Sequence, residues 1–207
     1  MKPVKNINGR YSISEFYDKI EWYLKSTGGG IPIKSLTLDN DITTLDFETT
    51  GFSAENHEII QIGAVKFRNG NEVDRFERFV EPFYSIPWKI TELTGISTEM
   101  VMGAPPIQQS LHELNEFLKD ETIVAHNASF DMKFLLENLK RHEIDHESFK
   151  VIDTVKLARA SIAGLPNYKL PTLKYYLGID VGSHNAIEDC LVTGALYYYC
   201  KTMQEKD

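Results

Sequence analysis

The chain has 207 residues, 42% hydrophobic and 25% charged, which is enough for one substantial core with a small appendage. Its formal net charge of −8 excludes a protein that coats nucleic acid through a basic surface, although it leaves room for an enzyme that meets phosphate through metal ions. No stretch approaches the roughly 20 consecutive apolar residues of a membrane helix, and none follows Met1-Lys2-Pro3-Val4-Lys5, so a soluble, cytoplasmic chain with no membrane partner is expected.

Residues 1–39 read as a helical extension. Ser12 and Glu15 have capping-box spacing, and Phe16, Ile20, Tyr23 and Leu24 recur at helical intervals. Gly28-Gly29-Gly30 then reads as a hinge, since no Lys-Ser/Thr pair follows it to make a phosphate loop. From residue 40 onward strands alternate with helices, the pattern of an α/β domain. The run Ile42-Thr43-Thr44-Leu45 reads as a buried strand that delivers the chain to Asp46-Phe47-Glu48. Two further strands, Glu58–Phe67 and Val73–Val80, flank an Asn69-Gly70 pair that predicts a hairpin turn. The first three strands are therefore expected to be antiparallel, with Pro82 and Pro87 ending the sheet edge.

Short helical pieces follow near Ile90–Gly95 and Ser97–Met100, and then a helix over Ile107–Lys119 with Leu111, Leu114, Phe117 and Leu118 on one stripe. The strand Thr122–Ala125 leads into His126-Asn127-Ala128-Ser129-Phe130-Asp131. Asn127 or Ser129 is the expected cap of a helix running to about Arg141, with Asp131 in its first turn. A strand near Phe149–Asp153, a helix over Thr154–Ser161, and a helix near Thr172–Leu177 ending at Gly178 complete the approach to His184-Asn185-Ala186-Ile187-Glu188-Asp189, which opens the last helix. Cys190 and Cys200 have neither a metal-knuckle spacing nor partners for a disulfide framework, so both are expected as buried free thiols. His57, His112, His142 and His146 read as surface residues.

Strand residues two apart project from one face, so Asp46 and Glu48 point the same way. Two carboxylates at the end of an apolar strand repel each other and lose solvation unless a cation compensates them, and a divalent metal is the simplest such cation. Singly, Asp131 could serve only the helix dipole and Asp189 could be a solvated helix residue. It is the combination that carries chemistry.

The three segments Asp46-Phe47-Glu48-Thr49-Thr50-Gly51, His126 to Asp131 and His184 to Asp189 resemble, in order and spacing, the three motifs of the DEDDh, or DnaQ-like, 3′–5′ exonucleases. Thr91-Glu92-Leu93-Thr94-Gly95-Ile96 is similar to a segment common in the proofreading exonucleases of bacterial replicative polymerases. The resemblance spans residue 40 to the C-terminus and implies a ribonuclease H-like α/β fold, a mixed central sheet flanked by helices, with residues 1–39 outside it. It implies two divalent cations, Mg²⁺ or Mn²⁺, bridged by Asp46. Glu48 and Asp189 would hold the ion that carries the attacking water, and Asp131 would help hold the second, in part through water. His184 would act as general base, because the tyrosine that serves the sister group has Asn185 in its place here. His126 is expected to orient its own loop.

The implied substrate is nucleic acid with a free 3′ end. Single-stranded DNA is favoured because Thr49-Thr50-Gly51 stands where the oligoribonucleotide branch of the family has Met-Thr-Gly. Thr49, Thr50, Phe52, Leu93 and Phe130 are the expected contacts to the terminal nucleotides. A DNA polymerase or another replication or repair protein is the expected partner. The alternatives are an RNA-trimming exoribonuclease and, from another class, a noncatalytic adaptor that binds a polymerase or helicase through the N-terminal helix.

Overall fold

The computed structural model describes residues 38–180 and 184–205. The expected N-terminal helix and its glycine hinge lie outside the described residues. In chain order the elements are β1 (Asp41–Thr49), β2 (Ile59–Arg68), β3 (Asn71–Phe79), α1 (Trp88–Thr94), α2 (Thr98–Val101) and α3 (Ile107–Leu118). They continue as β4 (Thr122–Ala125), α4 (Ser129–Arg141), β5 (Lys150–Asp153), α5 (Thr154–Ser161), α6 (Leu170–Leu177) and α7 (Ala186–Gln204).

The sheet order is β3-β2-β1-β4-β5, with the β1–β2 and β2–β3 pairs antiparallel and the β1–β4 and β4–β5 pairs parallel. This is the expected mixed sheet. Between the paired residues Arg68 and Asn71 only Asn69 and Gly70 remain, at φ 52 and φ 84. A two-residue hairpin of this hand needs positive φ at both positions, which Asn and Gly tolerate.

The alternation of β1 divides the helices into two layers. Leu45 and Phe47 face Leu111, Leu114, Phe134 and Leu135 on α3 and α4. Ile42, two and four residues before Thr44 and Asp46, belongs with Val65, Leu157, Leu173, Leu196 and Tyr197, under α5, α6 and α7. A third, smaller cluster of Ile60, Ile86, Ile96 and Val101 seats the segment that carries α1 and α2 beside the sheet. The C-terminal half of α7 also holds the chain as it enters β1. Tyr197 and Tyr198 donate their hydroxyls to the carbonyls of Asp39 and Asn40 at 2.9 and 2.7 Å, and Lys201 donates to Leu38 O at 2.7 Å.

The structure corrects two local expectations. Neither Asn127 nor Ser129 caps α4: Ala128 occupies the cap position with no side-chain cap bond, and Asn127 instead takes φ 61 to turn the chain out of β4. His57 is not a surface residue. It is half-buried against Gly51, where a Cβ would lie 2.2 Å from the imidazole, and its Nδ1 lies 3.2 Å from Ser53 N. Any side chain at position 51 would have to displace this imidazole. Cys190 and Cys200 are buried and free, as expected. Among the described residues no helix is long and apolar enough to cross a membrane.

Candidate active site

The site lies where β1 ends. Asp46 pairs across the sheet with Gly63 and Glu48 with Gln61, and directly opposed residues of an antiparallel pair share a face. That face is the one α7 covers, and β2 is shaped to receive it. A Cβ on Gly63 would sit 2.5 Å from the backbone carbon of Ala186, so only glycine admits the first turn of α7 this close to Asp46. Beside it the fully buried Gln61 accepts the Ala186 N–H at 3.2 Å and donates its amide to Glu77 Oε1 at 3.1 Å. The Cys190 thiol donates to Gly63 O at 3.2 Å. The carboxamide oxygen of Asn185 accepts the N–H groups of Ile187 and Glu188 at 3.1 and 3.2 Å, a regular N-cap. A register shift directly after Glu48 ends the regular ladder and turns Thr49 away.

These anchors fix His184 and Asp189. His184 has φ 61, and its N–H donates to Asp189 Oδ2 at 3.2 Å, closing the turn before the helix. Among the described residues, Glu48, His184 and Asp189 form a group whose candidate ligand atoms all lie within 4.8 Å of one another. Asp46 and Asp131 stand outside that group but feel its charge, Asp46 that of Asp189 and Glu48 and Asp131 that of Glu48. Asp131, buried in the first turn of α4, accepts the Phe47 N–H at 3.2 Å, so the residue between the two β1 carboxylates is tied to the third.

The shared environment raises all four carboxyl groups. Burial drives Asp46 well above the usual carboxylate range, helped by the charges of Asp131, Asp189 and Glu48. Burial and then Asp189 bring Glu48 to about 7. Asp131 reaches about 8, chiefly through burial, with its backbone N–H bonds pulling the other way. Burial raises Asp189, against the His184 N–H and the positive charge of Lys174. Carboxylates crowded in this way are stable as anions only beside a cation, and the donor set, carboxylate oxygens with one imidazole, suits a hard divalent ion.

His126 does different work. Its Nδ1 lies 2.9 Å from the Thr154 hydroxyl, and burial pushes its pKa down to about 4 against the opposing effects of Asp153 and the Tyr168 backbone. A neutral imidazole wedged between β4 and α5 orients the loop that carries Asn127 to Asp131. The expected substrate contacts differ in exposure. Thr49 and Thr50 are buried, and their hydroxyls close the following loop, Thr49 donating to Gly51 O at 2.6 Å and Thr50 accepting the Glu58 N–H at 2.9 Å. Phe52 is exposed at the loop tip and Leu93 on α1, whereas Phe130 is half-buried against Phe134, ring centres 5.0 Å apart. Nothing in the sequence marks Gln61 or Gly63, and Asn185 stands out there for occupying the position of the sister group's tyrosine. Only the Asn-Ala pair ahead of the last helix carried a local signal, that of an N-cap.

Residues 43–197 match the family model described as Exonuclease (RNase T). The PolC-type DNA polymerase III of Clostridium perfringens is 40% identical over 191 residues, covering 90% of this chain and 13% of its own length. That of Halalkalibacterium halodurans is 41% identical over 172 residues, covering 82% and 12%. The chain thus spans about one-eighth of the length of these relatives. Among solved structures, exonuclease X in complex with 5′ overhanging duplex DNA superposes with a TM-score of 0.64 at 25% identity, over 79% of this chain and 96% of that one. E. coli exonuclease I with a dA16 oligonucleotide gives a TM-score of 0.71 at 18% identity, over 81% of this chain and 42% of that one, and shares the fold. The chain belongs to this exonuclease family and is a DnaQ-like exonuclease domain of the 3′–5′ class.

Proposed function

We propose that this domain removes nucleotides from the 3′ end of single-stranded DNA with two bound divalent cations, Mg²⁺ or Mn²⁺. The observation that carries the reading is the meeting of Glu48, His184 and Asp189 within 4.8 Å at the end of β1, beside Asp46 and Asp131. In this reading Asp46, Glu48, Asp131 and Asp189 would hold the ions, Glu48 and Asp189 serving one, Asp131 helping with the other and Asp46 contributing to both. Such ions supply a nucleophilic water at neutral pH and neutralise charge on the phosphoryl oxygens. His184 accepts the proton of the attacking water at a ring nitrogen, and its left-handed backbone conformation keeps the ring beside Asp189 instead of inside the helix. Thr49 and Thr50, their hydroxyls committed to the loop, offer backbone to the terminal nucleotide, and Phe52 and Leu93 offer exposed apolar surface to its base.

The preference for DNA is supported by the DNA-polymerase relatives and by the DNA bound to exonuclease X. The same relatives support action beside a polymerase, while the division into residues 40–207 as the catalytic unit and residues 1–39 as a separate extension rests on the sequence pattern. A purely noncatalytic adaptor is disfavoured, because all four carboxylates and the imidazole are retained in one place. The test is a 5′-labelled single-stranded oligonucleotide with Mg²⁺, in matched DNA and RNA forms. A ladder shortening from the 3′ end, faster on DNA, is expected. Absence of a ladder on either polymer with saturating metal would remove the proposal, and faster shortening of RNA would reassign the substrate.

A further inference from the structure

We propose that Phe83, Tyr84 and Trp88 form a stacking surface for the single strand that trails behind the 3′ terminus, extending the substrate site beyond the nucleotides at the carboxylates. The inference rests on the proposed 3′-end hydrolysis. Its ground is a set of rings that the fold leaves outside every core. Phe83, Tyr84 and Trp88 are 85%, 73% and 68% exposed, while Ile86 between them is buried at 7% with Ile60, Ile96 and Val101. Ile86 also donates its N–H to Thr98 Oγ1 at 2.9 Å, so the exposed rings ride on a seated segment.

The sheet register places this segment at the site. Glu48 pairs with Gln61 and Gln61 with Phe79, so β3 ends level with the catalytic strand, two strand spacings or about 10 Å away. The chain then leaves the sheet at its active-site end. It is held there by Glu58, whose carboxylate accepts the N–H groups of Phe83 and Tyr84 at 2.8 and 3.3 Å. Glu58 also closes the loop that begins at Thr50, through Thr50 N to Glu58 O at 2.8 Å. One residue therefore couples the loop after the catalytic carboxylates to the aromatic pair.

The occupant follows from the chemistry. Phe83 and Tyr84 stand edge to face with centres 5.0 Å apart, and Lys89 Nζ lies 5.8 Å from the Trp88 ring centre, leaving aromatic faces with a cation beside them. Bases stack on such faces regardless of sequence. A net charge of −8 gives the chain no overall attraction for a phosphate backbone, which favours holding a trailing strand through rings.

The experiment compares the steady-state kinetics of thymidylate 3-mers and 12-mers with Mg²⁺. For the wild type, KM is expected to be at least tenfold lower on the 12-mer. Phe83→Ala/Tyr84→Ala and Trp88→Ala should each raise KM on the 12-mer roughly tenfold per ring that carries a base, leaving kcat and the 3-mer KM unchanged. In a Trp22→Phe background the 12-mer, and not the 3-mer, should quench Trp88 fluorescence. Equal KM for the two lengths in the wild type, as when a protein segment covers the rings, would overturn the inference. So would variant penalties of the same size on both lengths. Absence of shortening at either length would instead strike the 3′-exonuclease reading on which the inference rests.

Discussion

The two ends of β1 hold carboxylates in opposite circumstances. Near its start, Glu121 accepts Arg68 Nη2 at 2.5 Å, Lys66 Nζ at 3.2 Å and the Thr43 hydroxyl at 2.9 Å. Burial alone would raise its pKa, but these partners outweigh it and hold the group below the usual range. At the other end burial raises Asp46, Glu48, Asp131 and Asp189, neighbouring negative charge adds to each rise, and the positive side chain of Lys174 acts only on Asp189. The chain neutralises the first carboxylate with its own cations, and in the proposed reading the second set is neutralised by metal ions from solution. A structural carboxylate and a metal-binding one can thus be told apart by who supplies the positive charge.

The sharpest way to break this comparison is to remove charge at the active-site end. Asp46→Ala should lower kcat by about 10³-fold or more, since it takes away the carboxylate expected to bridge both ions. His184→Ala should slow turnover roughly 10²-fold at neutral pH while calorimetry still detects Mn²⁺ binding. Equal loss of metal in both variants would contradict the separate roles given to them. Glu121→Gln should do the reverse, costing about 2 kcal/mol in denaturant unfolding, somewhat below the value for a fully buried pair, and changing kcat less than twofold.

Smaller effects sharpen the account of how the site is held. Gln61→Ala removes the acceptor of the Ala186 N–H and should lower kcat about tenfold with KM for the oligonucleotide unchanged, while Gln61→Glu, which keeps the acceptor but faces Glu77, should recover little. A kcat within twofold of wild type would show that α7 holds its position without this bond.

The pH dependence has a definite sign. Glu48 and Asp131 carry folded pKa values raised to about 7 and about 8, so protonation favours the folded, metal-free protein. Their contribution is complete below the ordinary carboxylate range and is lost as pH rises through 7 and 8. Glu121, with its pKa lowered, contributes above its unfolded value and loses that contribution as pH falls through its folded one. In EDTA the melting temperature should therefore decline by a few degrees between pH 6 and pH 8.5, and Mn²⁺ should restore it more strongly at the higher pH. A melting temperature in EDTA that rises over this interval would contradict the raised carboxylates.

Much of this was legible in the sequence because it is local. The two-residue spacing of Asp46 and Glu48, the Asn69-Gly70 turn and the Gly178 cap are written in neighbouring residues, and the structure bears them out. What the sequence hid depends on distant partners. Gln61 and Gly63 sit in an apolar run that reads as plain strand, and their roles exist only because Ala186, 125 residues beyond Gln61, packs on them. His57 looked like a surface residue because its neighbours are polar, yet the loop folds it onto Gly51. The start of α4 departs from the capped helix its sequence suggests, since no side chain caps it and Asp131 in its first turn is tied to Phe47, 84 residues away.

The central claim is that two cations complete the carboxylate set at the end of β1. It is tested most directly by crystals grown with Mn²⁺ and thymidine 5′-monophosphate and measured for anomalous scattering. Two peaks about 3.5–4 Å apart are expected, with Asp46 between them, Glu48 and Asp189 on one, and Asp131 toward the other. A single peak, or none within reach of Asp46 at saturating Mn²⁺, would contradict it.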